Sequence, residues 1–229
     1  MDHPSIEYSV CTARDTSEMT RLLAEVFSGG EPPAVAVGLT SAEFESFVQL
    51  LCPAVIADGL TIVARRSDTS EMVGALLTED FGTAPPDGAA KLSHKFDPVF
   101  DILGQLDAEY RDGRVVPRGE SLHLYLLGVT ASAAGRGVAK QLVATCLENG
   151  ARKGFRVAVT EATAKASQHV FRSLGFVERV HRSYEQHRFD GRAVFASIAE
   201  HGGPILMERE LANGPSASGR TLDDPGVRL

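Results

Sequence analysis

The sequence contains few cysteines: only Cys11, Cys52 and Cys146 occur among 229 residues. Their number is odd and their spacing wide, so they fit neither a disulfide framework nor a metal-ligand pattern. No apolar run reaches the length of about 20 residues that a bilayer crossing requires. The first residues, MDHPSIEY, lack the basic start and apolar stretch of a signal peptide. These absences predict reduced thiols in a cytoplasmic protein, with no metal and no membrane partner.

Charge is unevenly distributed along the chain. The whole sequence has a net charge of −7, which argues against a general nucleic-acid binder. Residues 134–182, however, contain nine Lys or Arg against three Asp or Glu, so this stretch carries +6 and the remainder −13. Two interpretations stay open: a solvated basic surface, or a region that meets an anionic ligand.

The spacing of apolar residues predicts strands and helices along most of the chain. We expect strands over residues 6–13, 61–65, 72–78, 122–129, 155–160, 176–180 and 204–210. We expect helices over residues 15–30, 40–52, 96–106, 137–147 and 162–174. In the last strand, Ile205 and Met207 should lie on one face and Leu206 on the other. We predict a single domain over residues 1–211 and, because residues 212–229 are too polar to pack, a disordered tail.

Local signals mark the start and end of the first two helices. Asp15 with Glu18 is typical of a capping box, and so is Thr40 with Glu43. Pro53 has no amide hydrogen to donate, so we expect it to bend or end the second helix.

The most informative stretch runs from residue 122 to residue 147. A predicted strand, HLYLLGV, is followed by a loop of small residues and by a helix that opens with Gly135 and Gly137. The first amides of a helix have no partner within it and carry partial positive charge. Glycine lets the backbone approach a ligand closely. The stretch therefore predicts a site for a phosphate-bearing ligand.

This order of elements resembles that of the GCN5-related N-acetyltransferases (GNAT), over residues 6–211. The resemblance implies an α/β (α+β) GNAT fold, in which a central mixed, mostly antiparallel twisted sheet is flanked by helices on both faces. It also implies that the cofactor is acetyl-coenzyme A (acetyl-CoA), with its pyrophosphate on the glycine-led helix. The cofactor-binding residues that it implies are Leu127, Gly128, Val129, Gly135, Arg136, Gly137, Val138, Ala139, Lys140 and Phe171.

Two fingerprints of the family carry this resemblance. Residues 134–139 read AGRGVA, with Ala134 where the family has Gln or Arg. Residues 170–176 read VFRSLGF and match the family's helix that ends in Leu-Gly-Phe. Many relatives have a Tyr at the position of Phe171, and that phenol reprotonates the departing thiolate. Here the resemblance implies that another group serves, or that the thiolate leaves unaided.

A narrower resemblance is to arylalkylamine N-acetyltransferases of the insect type. It rests on four segments: FSGGEP at 27–32, KF at 95–96, EATAKAS at 161–167, and a C-terminal segment with Phe195, His201 and ILM at 205–207. In those enzymes the Glu before Pro is the proposed general base, and hydroxyl residues early in the helix before Leu-Gly-Phe help to carry protons. Carried over, these roles imply Glu31 as the base and Ser167 as the proton donor, with Thr163 as a possible further donor. From the residues alone, Glu31 could equally be a solvated loop acid and Ser167 a helix-surface serine. His201 is a further catalytic candidate.

His123 and Tyr125 stand where the vertebrate branch of these enzymes has two histidines. Because they are two residues apart on a strand, they should face the same side. Two interpretations stay open: both line a water-filled channel with a catalytic role, or His123 is a hydrogen-bonded core histidine. Cys146 lies on the apolar face of its helix, and we expect it to pack in the core.

The resemblance implies direct transfer of an acetyl group to the primary amine of a small molecule, similar to an arylalkylamine. Such an amine is an ammonium ion at neutral pH, so a base must take its proton. Free amides near Val129 would suit the oxyanion that develops during the transfer. Residues 29–40 and 90–110 should form the acceptor pocket. The phenylalanines of these regions fit an aromatic amine or plain core packing: Phe27, Phe44, Phe96 and Phe100.

Other functions stay open. The acceptor could be an aminoglycoside-like or other drug amine, or a protein terminus. A polycationic acceptor would need clustered acids, and the available ones are Glu79, Asp80, Asp87, Asp97, Asp101, Asp107, Glu109 and Asp112. A non-catalytic acyl-CoA-binding module is compatible with Ala134 and Phe171. We expect a monomer or homodimer whose partner is a small-molecule amine.

Overall fold

The computed structural model describes residues 5–84, 86–88 and 91–211, so the predicted tail at 212–229 lies outside the described residues. The strands are β1 (Ile6–Val10), β2 (Ile62–Arg66), β3 (Met72–Asp80), β4 (Ser121–Val129), β5 (Val157–Ala162), β6 (Val177–His181) and β7 (Ile205–Glu210). The α-helices are α1 (Thr16–Gly30), α2 (Pro32–Ala36), α3 (Ser41–Asp58), α4 (Asp97–Arg111), α5 (Val138–Arg152) and α6 (Lys165–Ser173). Short 3-10 helices cover His94–Phe96, Ala131–Ala133 and Ala196–His201.

The seven strands form one mixed sheet in the order β1-β2-β3-β4-β5-β7-β6. Neighbouring strands are antiparallel, except that β4 and β5 are parallel. The predicted mixed, mostly antiparallel sheet is confirmed, and so is the hairpin of β2 and β3.

Helices cover both faces of the sheet, as predicted. One core contains side chains of α5 and α6 packed on the sheet, and a second contains side chains of α1 and α3 on the opposite face. Strand β7 shows the expected alternation, since Ile205 and Met207 lie in the first core and Leu206 in a smaller cluster beside α4. Cys146 is fully buried in the first core, which confirms its predicted packing role.

The two predicted capping boxes have different outcomes. At the start of α3, the Thr40 and Glu43 side chains bond each other's backbone amides, as predicted. At the start of α1, the Asp15 carboxylate instead accepts from Thr12 and from Arg65 at 2.8 Å. Glu18 also binds Arg65, at 2.7 Å. The predicted Asp15–Glu18 box is therefore wrong, because an arginine of β2 takes both carboxylates.

Helix α3 passes through Pro53 and continues to Asp58. Of the two predicted effects of Pro53, a bend or an end of the helix, the second is therefore wrong. Proline removes one backbone hydrogen bond, but Cys52 and Val55 beside it are buried against α1 and the sheet. This packing holds the helix until Gly59, whose φ of 61° ends it.

The predicted boundaries of β5 and of α6 differ from the observed ones. Strand β5 begins at Val157 and continues to Ala162, where it still pairs with Ile205 of β7. Helix α6 accordingly begins at Lys165 rather than at residue 162. The strand extends because a partner from a distant part of the chain is available for it.

Candidate active site

A cavity of about 360 Å³ opens where β4 and β5 separate. The two strands pair only from Ser121–Val157 to His123–Val159. At the fork, the Thr160 hydroxyl donates to the Leu124 carbonyl at 2.9 Å. Beyond it, β4 forms no ladder with β5 in the described part of the chain, and the cavity lies in this gap.

Glu31 lies at one end of the cavity, between α1 and α2. Pro32 and Pro33 stop α1 and begin α2, and the Glu31 carboxylate caps α2 by accepting the Ala34 amide at 2.7 Å. Burial raises the pKa of Glu31 to about 7, although hydrogen bonds from the Thr163 hydroxyl and the Ala34 amide act in the opposite direction. A carboxylate that titrates near neutral pH is suited to take a proton.

Thr163 and Ser167 line the same cavity, after β5 and in the first turn of α6. The Thr163 hydroxyl lies close enough to Glu31 to lower the pKa of its carboxyl. The Ser167 hydroxyl donates to the Ala164 carbonyl at 2.9 Å and accepts from the Ala164 amide at 3.3 Å. The structure therefore brings Glu31, Thr163 and Ser167 to one cavity.

Tyr184 is a site residue that sequence reasoning missed. It is fully buried, and its hydroxyl donates to the Thr163 carbonyl at 2.8 Å. Burial, followed by the nearby Glu31 charge, raises the pKa of Tyr184. Tyr184 fixes the backbone that carries Thr163. The surrounding sequence, RSYEQHR, is polar and gave no signal for this role.

His123 lies between two carboxylates at the base of the fork. Its Nε2 bonds Glu161 Oε2 at 2.7 Å, and its Nδ1 bonds Glu79 Oε1 at 3.1 Å. Burial disfavours the charged ring, but Glu161 and Glu79 outweigh it and raise the pKa of His123 to about 10. Tyr125 stacks on the ring with centroids 4.8 Å apart, so the two side chains share a face as predicted. Of this pair, Tyr125 lines the cavity and His123 lies behind it.

The structure does not bring His201 to the cavity walls. His201 ends the 3-10 helix Ala196–His201, and its Nδ1 is buried without a hydrogen-bond partner among the described residues. Phe171 does line the cavity and packs against Phe176 with ring centroids 5.0 Å apart. Its position on the wall agrees with the implied contact, but a phenyl ring has no proton to donate.

The glycine-led turn before α5 has the geometry of an anion-binding site. Gly135 and Gly137 have φ values of 73° and 78°, and no atom lies within 4 Å of where a Cβ would stand on either. No side chain caps the first turn of α5. The turn therefore leaves open space beside backbone amides that no side chain caps, and a phosphate could bind there.

The remaining residues implied for the cofactor continue from this turn to the cavity. Val138 is buried, whereas Lys140 is exposed and Arg136 half-buried. Ala139, Leu127 and Val129 line the cavity itself. Gly128 is the exception: it is buried, and a Cβ there would lie 2.9 Å from Leu23 of α1. Ala139, in the first turn of α5, therefore links the glycine-led turn to the cavity wall.

Much of the cavity wall at α1, α3 and α4 is aromatic. The lining rings are Phe27, Phe44, Phe47, Phe96, Phe100 and Tyr125. They contact one another closely: Phe27 and Phe44 stack at 4.9 Å, and Phe96 and Phe100 at 5.4 Å. The sequence left open whether these rings pack in the core or line a pocket. They do both, because they are packed in the core and also face the cavity.

Some kinds of site do not occur in the described residues. Residues 5–84, 86–88 and 91–211 contain no group of three His, Cys, Asp or Glu side chains that could hold a metal ion. Within the same ranges, no helix combines the length and apolarity that a bilayer span needs. The three cysteines are free and buried.

Comparison with known proteins identifies the family. A model of the acetyltransferase (GNAT) family matches residues 60–176, which include β4, the glycine-led turn and α6. The chain belongs to the GNAT acetyltransferase family. The resemblance drawn from residues 134–139 and 170–176 is thereby confirmed, together with the GNAT fold.

Solved structures with this GNAT fold include insect arylalkylamine N-acetyltransferases. Arylalkylamine N-acetyltransferase 2 from Aedes aegypti is 22% identical, with a TM-score of 0.77 over 91% of this chain and 100% of that one. Drosophila melanogaster polyamine N-acetyltransferase is 19% identical, with a TM-score of 0.73 over 90% and 100%. The C-terminal condensation domain of Ebony, solved with β-alanyl-dopamine, is 15% identical, with a TM-score of 0.83 over 91% and 100%.

Proposed function

We propose that this GNAT protein transfers the acetyl group of acetyl-CoA directly to the primary amine of a small, largely apolar molecule. The observation that carries the proposal is a cavity that is lined both by Ala139, in the first turn of α5, and by Glu31, together with several aromatic rings. Acetyl-CoA would supply the acetyl group as a thioester. The residues suited to hold it are the open amides of the turn at 135–139 and the cavity wall at Leu127 and Val129.

In this proposal Glu31 removes the proton from the acceptor ammonium, directly or through water. Its carboxylate lies at the acceptor end of the cavity, and its pKa of about 7 leaves it partly ionised at neutral pH. The Thr163 hydroxyl orients it. Ser167 is the proposed proton donor to the thiolate, because its hydroxyl lies on the same cavity wall as Phe171. A hydrogen bond from the Val129 amide to the oxyanion remains a prediction.

The lining of the cavity favours an aromatic amine with one charge over a polycation. None of the acids between residues 79 and 112 lines it, whereas Phe96, Val99, Phe100 and Leu103 of that region do. Several of those acids are paired elsewhere, as Asp107 is with Arg111. A polycationic drug amine would therefore meet a largely apolar wall, whose carboxylates in the described part of the chain are Glu31 and Glu161 alone. Cytoplasmic location and a monomeric or dimeric state stay predictions.

The test is release of free thiol from acetyl-CoA with tyramine, tryptamine, spermidine and kanamycin as acceptors. We expect turnover with tyramine and tryptamine, and rates at least tenfold lower with kanamycin and spermidine because two or more of their charges would enter an apolar cavity. Preference for kanamycin or spermidine would contradict the aromatic-acceptor proposal. Binding of CoA without turnover of any amine would indicate a non-catalytic module.

A further inference from the structure

The cavity wall contains two charged side chains in the described part of the chain, and both are carboxylates. Glu31 is one, and the mechanism proposed above uses it as the base. The other is Glu161, at the end of β5, whose side chain is 9% exposed. No Lys or Arg lines the cavity within those described residues. A buried carboxylate that faces a cavity without a basic residue is suited to a cationic ligand.

Glu161 is held rigidly in this position. Its Oε2 accepts from His123 Nε2 at 2.7 Å, and His123 is in turn fixed by Glu79 and by stacking against Tyr125. Phe81 packs edge-on against the same imidazole at 5.1 Å. Glu161 Oε1 has no side-chain partner among the described residues, so it can accept a hydrogen bond from a ligand.

The charges of this cluster do not cancel. Glu79 and Glu161 place two negative charges around one imidazolium. The Arg111 charge also acts on Glu161, but its guanidinium is paired with Asp107 at 2.6 Å. One negative charge is therefore left in excess. Burial raises the pKa of Glu161, but the His123 charge and hydrogen bond outweigh it and lower that pKa, so the carboxylate is ionised at neutral pH. Coulombic attraction is stronger in such a buried, apolar setting than in water.

We propose that Glu161 recognises the acceptor: its carboxylate, positioned by His123 and Glu79, binds the ammonium group of a cationic amine in the cavity. The proposal rests on the proposed function and assigns separate roles to two carboxylates. Glu161 holds the charged amine, and Glu31 takes its proton. His123 acts as a positioning residue rather than as a proton shuttle, because both of its ring nitrogens donate to carboxylates.

Equilibrium binding to the CoA-saturated protein tests this proposal without any turnover. The probes are 2-phenylethylamine and 2-phenylethanol, which have the same ring and chain but differ in charge. We expect Glu161→Gln to weaken amine binding by roughly 10- to 100-fold, the value of one charge-assisted hydrogen bond. Binding of the alcohol should change by less than about twofold, and it also shows that the variant is folded with its cavity intact.

Glu79→Gln is the matched control, since it removes the same unit of charge from a residue that does not line the cavity. We expect a smaller loss of amine affinity in this variant. The proposal would be overturned if Glu161→Gln lost the same affinity for the alcohol as for the amine, or if Glu79→Gln lost more amine affinity than Glu161→Gln. It would also be overturned if the wild type bound the alcohol as tightly as the amine. Because no acetyl transfer is measured, amine recognition that depends on Glu161 would stand even if the acetyltransferase proposal failed.

Discussion

Replacing Glu31 by Gln should stabilise the protein at alkaline pH. Burial raises the pKa of Glu31 from 4.5 to about 7, so the folded state binds more protons than the unfolded state between these values. The free energy of unfolding therefore falls as pH rises through this window, and the ionised carboxylate costs about 3 kcal/mol above it. Gln cannot ionise, so the variant avoids this cost.

The net gain is smaller than the electrostatic cost. Gln keeps an oxygen for the Ala34 amide, but its NH₂ needs a new partner, which costs about 1 kcal/mol. A net gain of about 2 kcal/mol corresponds to a rise in Tm of roughly 4 to 8 °C for a chain of this size. Near pH 5 the carboxyl of the folded protein is mostly protonated, and the gain should disappear.

Thermal unfolding of wild type and Glu31→Gln at about pH 5 and about pH 8 measures this effect. The control is Glu25→Gln, an exposed glutamate on the same helix, for which we expect a Tm change of less than about 1 °C at both pH values. A Tm difference for Glu31→Gln that is the same at both pH values would show that burial does not raise the pKa of this carboxyl.

Three further predictions concern backbone and hydroxyl groups. Gly203→Ala should destabilise the fold by more than about 3 kcal/mol in denaturant unfolding, because its Cβ would lie 1.7 Å from the Arg182 carbonyl oxygen. The control is Gly104→Ala, in open space within α4, which should be neutral or stabilising. Equal effects of the two substitutions on stability would contradict this prediction. Gly137→Ala should weaken CoA binding by about tenfold in calorimetry. An alanine at φ of 78° is strained by about 1 to 2 kcal/mol, so the free turn should relax to another conformation that CoA binding must reverse. Unchanged affinity would remove the turn from the cofactor site. Ser167→Ala should lower kcat by about tenfold or more without a matching change in KM, whereas full activity would exclude its hydroxyl as the proton donor.

Local sequence patterns predicted those features that depend on neighbouring residues. The Thr40–Glu43 box closes within four residues, and the alternation of Ile205, Leu206 and Met207 follows from strand geometry alone. The Asp15–Glu18 box failed although its local pattern is as good, because Arg65 from β2 offers both acids a stronger partner. A charged partner about 50 residues away leaves no mark on a local pattern.

In the site, too, sequence patterns predicted only what neighbouring residues determine. Glu31 and Ser167 could be predicted as site residues because the motifs around them resemble those of a known family. The surroundings of His123 could not be predicted, because Glu79 comes from β3 and Glu161 from β5, and only the sheet register brings them to the ring. Tyr184 likewise reaches Thr163 from a loop that has no distinctive pattern.

The pH dependence of kcat/KM for tyramine in wild type and Glu31→Gln measures whether Glu31 is the catalytic base. We expect wild-type activity to rise with an apparent pKa near 7, as Glu31 loses its proton. We expect Glu31→Gln to lose this rise and roughly 100-fold or more of the rate, while still binding CoA. A variant with wild-type turnover and an unchanged pH profile would contradict this role of Glu31.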